Sequence, residues 1–272
     1  MYYHRIDSLR CFAVLGVLFS HFFNQNITKH LFIGTAGVDL FFVISGFLIT
    51  EILFRYKDSD NTVCNKLKLF YGRRLLRIFP IYYFYLFLVV FVFKVQDIKQ
   101  VLSAVFYLFN FYEMNKDISP LLIHIWSLSI EEQFYLIWPF LILFIPQKNI
   151  LKVIIFIIFF SLSAKILLPH VNHKLLTVSS FEAFGIGALF AYLKIYDTST
   201  LKKYLRYKLP LIAAISTYGS IVLLSTYNIT ILDNWFRVSI SIVSFYLLGV
   251  SVIPSGNGNQ KINSLLDNKL FM

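Results

Sequence analysis

Charged side chains are scarce in this sequence. Only 14% of its 272 residues are Asp, Glu, Lys or Arg, whereas 58% are hydrophobic, and the mean hydropathy is +0.70. This composition excludes a soluble domain of this length, which carries far more charge on its surface. The apolar residues form repeated windows of about 18 to 20 residues, the length of a helix that crosses a bilayer. Because a helix satisfies its own backbone hydrogen bonds within lipid, the sequence predicts an all-α, polytopic transmembrane helix bundle.

Cysteines are few, and acidic residues are outnumbered by basic ones. The two cysteines, Cys11 and Cys64, lie at no spacing typical of a disulfide, and no group of residues predicts a metal site. The 25 Lys and Arg exceed the 14 Asp and Glu, which gives a formal net charge of +11. The basic residues lie in the connections between apolar stretches, as the positive-inside rule expects, so we predict no nucleic-acid partner. Since the sequence contains no repeat and no long linker, we interpret residues 1–272 as one domain.

Eight apolar stretches are long enough to be full membrane spans. They are residues 8–26, 36–54, 78–95, 121–145, 151–168, 177–194, 209–226 and 235–254. A ninth stretch, residues 99–113, is shorter. The strongly basic connections at 55–77 and 194–208 can both be cytoplasmic only if the ninth stretch does not cross completely, so we predict a re-entrant or incomplete passage there. The same rule places the N-terminus in the cytoplasm.

The first two spans contain ionisable residues. A helix would place Arg10 and His21 on one face, about 16 Å apart along the axis. Asp39 lies near the start of the second span, at a depth that we expect to be similar to that of His21. Ionisable residues within a membrane indicate a functional site. We expect Asp39 to hydrogen-bond one imidazole nitrogen of His21 and leave the other as a general base, the alternative being a histidine that serves helix packing.

Three arginines lie at the start of the third span. Arg73 and Arg74 are four and three residues before Arg77, so one helical turn presents all three as a single patch. Guanidinium groups bind phosphates through paired hydrogen bonds, which favours a phosphate-bearing ligand. The alternative is a patch that contacts anionic lipid headgroups.

Two adjacent carboxylates, Glu131 and Glu132, lie within the fourth span, shortly after Trp126. Such carboxylates repel each other in lipid unless they line a cavity or meet cations. Arg10 and the three arginines are the available partners, although Arg10 could also pair with Asp7. The alternative to a binding site is a structural ion pair that fixes helix packing.

Four stretches in this order resemble the acyltransferase-3 family of integral membrane O-acyltransferases. They are residues 5–10 (RIDSLR) with His21, residues 37–49 (GVDLFFVISGFLI), residues 73–82 (RRLLRIFPIY) and residues 126–135 (WSLSIEEQFY). The resemblance implies an enzyme of the cell membrane that transfers an acyl group, commonly acetyl, to a hydroxyl of a surface sugar, polysaccharide or lipid-linked glycan. Because the family usually has about ten spans, we expect the chain to be C-terminally incomplete and to lack a final helix.

The resemblance also implies roles for individual residues. The co-substrate would be acyl-CoA, with no bound cofactor and no metal. Donor and substrate binding would involve Arg10, Arg73, Arg74, Arg77, Trp126 and Glu131. His21, with Asp39, would act either as a general base or as a transiently acylated nucleophile. A different class of function is a transporter or flippase that uses the intramembrane His, Asp and Glu as a proton or substrate path.

Overall fold

A computed structural model of the chain describes residues 3–23, 31–113, 119–168, 175–224 and 230–253. These residues are 86% helical and include no strand, which confirms the predicted all-α fold. The described helices are α1 His4–Phe22, α2 Ile33–Lys57, α3 Val63–Phe91, α4 Ile98–Val105, α5 Phe109–Glu113, α6 Ile125–Phe144, α7 Gln147–Leu167, α8 Thr177–Tyr196, α9 Thr198–Arg206, α10 Leu209–Leu224 and α11 Thr230–Val252. Residues 254–272, where we expected the chain to be C-terminally incomplete, lie outside the described residues.

Each of the eight predicted spans coincides with a helix. Five of these are long and apolar enough to cross a membrane, namely α2, α3, α7, α8 and residues 235–252 of α11. The other three helices, α1, α6 and α10, are shorter or less apolar in their described part, and the number of full spans stays a prediction. α1 contains three charged residues, α6 contains two glutamates that lower its hydropathy, and α10 has only 16 residues.

The segment predicted to cross incompletely, residues 99–113, forms two short helices. α4 has 8 residues and α5 has 5. At 1.5 Å per residue they extend about 12 Å and 8 Å, far less than a hydrocarbon core of about 30 Å. Between them Tyr107 has a φ of 55°, a left-handed conformation that is uncommon for a residue other than glycine. These lengths agree with the predicted incomplete passage.

The helices pack as two compact units, each with its own apolar core. As far as they are described, the first unit comprises residues 1–51, 151–169 and 181–272, and the second comprises residues 52–150 and 170–180. In the first unit Phe42 stacks on Phe184, with ring centroids 4.7 Å apart. In the second, Phe134 stacks on Trp138 at 5.1 Å. The single domain expected over residues 1–272 stays a prediction.

Two glycines let α2 and α8 approach closely within the first unit. A Cβ atom at Gly46 would overlap with the backbone oxygen of Phe184, and one at Gly187 would overlap with that of Val43. Small residues at facing positions are a common way for membrane helices to bring their backbones together. The contact between α2 and α8 therefore depends on the absence of a side chain at both positions.

Replacement of Gly46 or Gly187 by alanine is expected to destabilise the protein by about 1–3 kcal/mol, because the added methyl group pushes two helices apart. Gly219→Ala in α10 is the matched control, since a Cβ atom there meets nothing within 4 Å. Its higher helix propensity should stabilise the protein by up to about 1 kcal/mol. Thermal unfolding of the purified variants in the same lipid nanodisc measures the difference. Equal melting temperatures for Gly46→Ala and Gly219→Ala would contradict the close packing.

Candidate active site

His21 lies in the last turn of α1, and its side chain is exposed. Its Nδ1 atom is 2.8 Å from the backbone oxygen of Val17, one turn earlier in the same helix. Because a carbonyl oxygen can only accept a hydrogen bond, Nδ1 carries the proton in the neutral ring. This tautomer leaves a lone pair on Nε2. His21 therefore has the protonation pattern that a general base needs.

Asp39 is fully buried and forms an ion pair with Arg237 of α11. Nε of Arg237 lies 3.0 Å and 3.1 Å from the two carboxylate oxygens, and Nη2 donates to Oδ1 at 2.6 Å. The exposed fractions of the two side chains are 0% and 3%. A buried carboxylate requires such a partner, because an unpaired charge in a membrane helix is strongly unfavourable.

The hydrogen bond expected between Asp39 and His21 is not formed among the described residues. We expected the two at similar depth because the first predicted span ran four residues beyond the end of α1. Gly34 of α2 packs against Ser20, the neighbour of His21. Asp39 lies five residues further along α2, which is about 7.5 Å along the axis. The carbonyl of Val17 therefore fixes the tautomer of His21, which we had expected Asp39 to do. The catalytic roles of His21 and Asp39 stay predictions.

A second buried ion pair lies in the first unit, between Lys165 of α7 and Glu182 of α8. The exposed fractions of these side chains are 3% and 0%, and Ser161 donates a further hydrogen bond to Glu182 at 2.9 Å. The four charges of this pair and of Asp39 with Arg237 sum to zero and interact with one another. Three of these four residues, Arg237, Lys165 and Glu182, were not predicted from the sequence. A charged residue inside an otherwise apolar span was the signal that could have identified each of them.

Arg10 pairs with Asp7 one turn earlier in α1. Its Nη1 atom is 3.5 Å from Oδ1 of Asp7, and both side chains are partly exposed. Asp7 was one of the two partners considered for Arg10 from the sequence. Such a pair between residues three apart on a helix contributes only a few tenths of a kcal/mol, at most about 0.5.

The three arginines predicted to bind phosphate lie on α3, in the second unit. Arg73 and Arg77 are exposed, and Arg73 donates a hydrogen bond to the hydroxyl of Tyr56 at 3.1 Å. Arg74 is less exposed, and its guanidinium carbon lies 3.3 Å from the ring centroid of Tyr135 on α6. This cation–π contact holds Arg74 against α6, so the exposed part of the patch consists of Arg73 and Arg77.

The two glutamates of α6 have different environments. Glu131 accepts a hydrogen bond from Tyr135, one turn later. Oε1 of Glu132 is buried and accepts no hydrogen bond within the described part of the chain, although Arg74 attracts its charge. Trp126 is buried in the first turn of α6, with 5% of its surface exposed. The structure thus brings Arg74, one of the available partners considered from the sequence, close to Glu131 and Glu132.

Comparison with known proteins decides the family. The family described as "Acyltransferase domain" (Acyl_transf_3) matches residues 3–266, nearly the whole chain. The chain belongs to this acyltransferase family. The match confirms the resemblance inferred from the four motifs, all of which lie within the matched residues.

Curated relatives of this acyltransferase come from Staphylococcus aureus. The O-acetyltransferase OatA of strain NCTC 8325 is 30% identical over 282 aligned residues, which cover 92% of this chain and 45% of OatA. The protein named "Putative O-acetyltransferase SACOL0978", from strain COL, is 40% identical over 148 residues, which cover 49% of this chain and 24% of that protein. The chain therefore spans less than half the length of these relatives. No solved structure matches it.

Asp39→Asn and Arg237→Gln are each expected to destabilise this acyltransferase by about 3–5 kcal/mol, because each leaves one buried charge unpaired. The double variant should be no less stable than either single variant, since it leaves neither charge unpaired. Melting temperatures in nanodiscs measure these differences, with the exposed Asp58→Asn as the matched control. A melting temperature of Asp39→Asn equal to that of the control would exclude a structural role for the ion pair.

Proposed function

We propose that this chain transfers an acetyl group from acetyl-CoA to a hydroxyl of a cell-surface sugar or glycan. Its family supports acyl transfer, and the names of its relatives support O-acetyl transfer. The observation that carries the chemistry is the contact between Nδ1 of His21 and the carbonyl of Val17. It leaves Nε2 as a proton acceptor on an exposed side chain, where an acceptor hydroxyl can approach.

In the proposed reaction Nε2 of His21 takes the proton of the acceptor hydroxyl as its oxygen attacks the thioester carbonyl. The bond between the carbonyl carbon and the sulfur then breaks, and the proton passes from the imidazolium to the leaving thiolate. The carbonyl of Val17 keeps its hydrogen bond to Nδ1 throughout, so the ring does not rotate. Asp39 acts in this scheme by joining α2 to α11 through Arg237, and not by contact with His21.

The donor would bind from the cytoplasmic side, with its phosphates at Arg73 and Arg77. The exposure of these two guanidinium groups supports this assignment. Guanidinium groups match the geometry of phosphate oxygens and remain charged at any physiological pH. We place the N-terminus on the same side of a multi-pass cell-membrane protein, because the basic connections favour a cytoplasmic location.

His21→Ala is expected to lower the rate of acetyl transfer about 10²–10⁴-fold, the usual contribution of a positioned general base. The melting temperature should change little, because the side chain is exposed. Transfer of labelled acetyl from acetyl-CoA to surface glycan, in membranes with equal amounts of inserted protein, measures the effect. His4→Ala, at an exposed histidine of the same helix, is the matched control. Normal transfer by His21→Ala would exclude the assignment.

Labelled acetyl-CoA also distinguishes the two roles left open for His21, a general base and a transiently acylated nucleophile. Incubation with acetyl-CoA but no acceptor should leave the protein unlabelled if His21 is a general base. A transiently acylated His21 would carry the label, and His21→Ala would abolish it. A transporter or flippase would move its solute without forming a new ester.

The double variant Arg73→Gln, Arg77→Gln is expected to lose most of the thermal stabilisation that coenzyme A gives the wild type. Each substitution removes a charge-assisted phosphate contact worth about 1.5–3 kcal/mol. Melting temperatures across a coenzyme A titration measure this loss. Lys99→Gln removes an exposed positive charge from the same unit and serves as the control. Unchanged stabilisation in the double variant would contradict a phosphate site on α3.

A further inference from the structure

We propose that Glu132 and the tyrosines around it form a subsite for the pantetheine arm of the donor, in which Oε1 of Glu132 accepts a hydrogen bond from an amide N–H of that arm. The inference rests on the proposed function, since it takes acyl-CoA as the donor. All residues of the proposed subsite lie in the second unit, so the distances between them lie within one compact body.

Oε1 of Glu132 is the first reason for this proposal. The atom is buried, and no described residue donates a hydrogen bond to it. Buried polar atoms nearly always have a hydrogen-bond partner, because loss of hydration without one is unfavourable. Glu131, its neighbour, shows the usual arrangement and accepts a hydrogen bond from Tyr135. Oε1 of Glu132 therefore has an unused capacity to accept a hydrogen bond.

Aromatic side chains form the surroundings of this carboxylate. Tyr82, Tyr83 and Tyr107 lie close enough to Glu132 to interact with its charge. The rings of Tyr82 and Tyr107 stack, with centroids 4.7 Å apart. The hydroxyls of Tyr82 and Tyr83 donate to backbone oxygens of α4, at 2.7 Å and 3.1 Å. The site therefore combines uncharged aromatic groups with one carboxylate oxygen that lacks a donor within the described chain.

The break between α4 and α5 is held beside Glu132. Tyr107, at this break, has a φ of 55°, and its backbone oxygen accepts a hydrogen bond from Nε2 of Gln133 at 2.7 Å. Gln133 also donates to Asn110 of α5, at 2.9 Å. The residue that follows Glu132 thus fixes the irregular backbone in place. Irregular backbone at membrane depth is tolerated where it is buried in protein or lines a cavity, and strained backbone is common at binding sites.

The position along α3 favours the pantetheine arm over other parts of the donor. Tyr82 lies five residues after Arg77 and Tyr83 lies ten after Arg73, which is about 8 Å and 15 Å along a helix. A donor with its phosphates on the arginine patch would cover this distance with the arm that joins its nucleotide to its thioester. That arm is uncharged and carries two amides, each with an N–H that a carboxylate can accept. A phosphate, by contrast, would be repelled by Glu132.

The test compares Glu132→Ala with Arg77→Gln on two donors, acetyl-CoA and S-acetylpantetheine, the second of which has no phosphate. Glu132→Ala should raise the KM for both donors about tenfold or more, the usual effect of losing a hydrogen bond to a charged group, and leave the KM for the acceptor unchanged. Arg77→Gln should raise the KM for acetyl-CoA alone. Glu132→Gln keeps an oxygen acceptor and should recover most of the donor affinity, while Asp60→Ala, at an exposed acidic residue, is the control.

A ligand variant gives the same test without any change in the protein. N-methylation of the amide that contacts Glu132 should raise the wild-type KM about as much as Glu132→Ala does, with no further rise when the two changes are combined. Wild-type KM values unaffected by methylation of either amide would overturn the subsite. So would a Glu132→Ala variant in which only the acceptor KM rises. A wild-type protein that uses neither donor would instead overturn the proposed function itself.

Discussion

A charge inside a membrane helix must meet an opposite charge, and the contact between Asp39 and Arg237 satisfies this requirement. The two residues are 198 positions apart in the chain, and both side chains are buried. A shift of α11 along α2 by a single residue would separate a guanidinium from both oxygens of its carboxylate, so this contact sets the register of the two helices. Lys165 and Glu182 do the same for α7 and α8. Buried charge thus gives specificity to a packing that apolar surfaces alone leave loosely defined.

The position of His21 depends indirectly on the same interaction. α1 packs on α2 where Gly34 lies against Ser20, so the end of α1 that carries the imidazole is placed by α2. α2 in turn is fixed by Asp39 and Arg237. The four buried charges of the two ion pairs are engaged with one another, whereas the imidazole is exposed and oriented by its own helix. Structural and chemical roles are therefore divided between different ionisable groups, which the sequence alone does not distinguish.

Much of the fold follows from local patterns, and much of the site does not. The eight apolar stretches predict eight helices because hydrophobicity and helix length are properties of contiguous residues. The incomplete passage follows from charge in two connections. The partner of Asp39 could not be predicted, because any positive charge in an apolar span could meet any buried acid. The predicted hydrogen bond between His21 and Asp39 was wrong because an error of four residues at a helix end amounts to about 6 Å, twice the length of a hydrogen bond.

The buried carboxylates of Asp39, Glu182 and Glu132 differ in their partners. In the first unit Asp39 and Glu182 each meet a cation directly, an arrangement that stability alone explains. In the second, Glu132 keeps an oxygen to which no described residue donates, beside a backbone held in an uncommon conformation. An unsatisfied buried acceptor lowers the stability of the folded state. Selection for stability alone would therefore favour a hydrogen-bond donor beside such a group, or its replacement by an apolar residue. The proposed donor subsite would use this oxygen beside Arg74, since a site whose hydrogen bonds are all made within the protein has none left for a ligand.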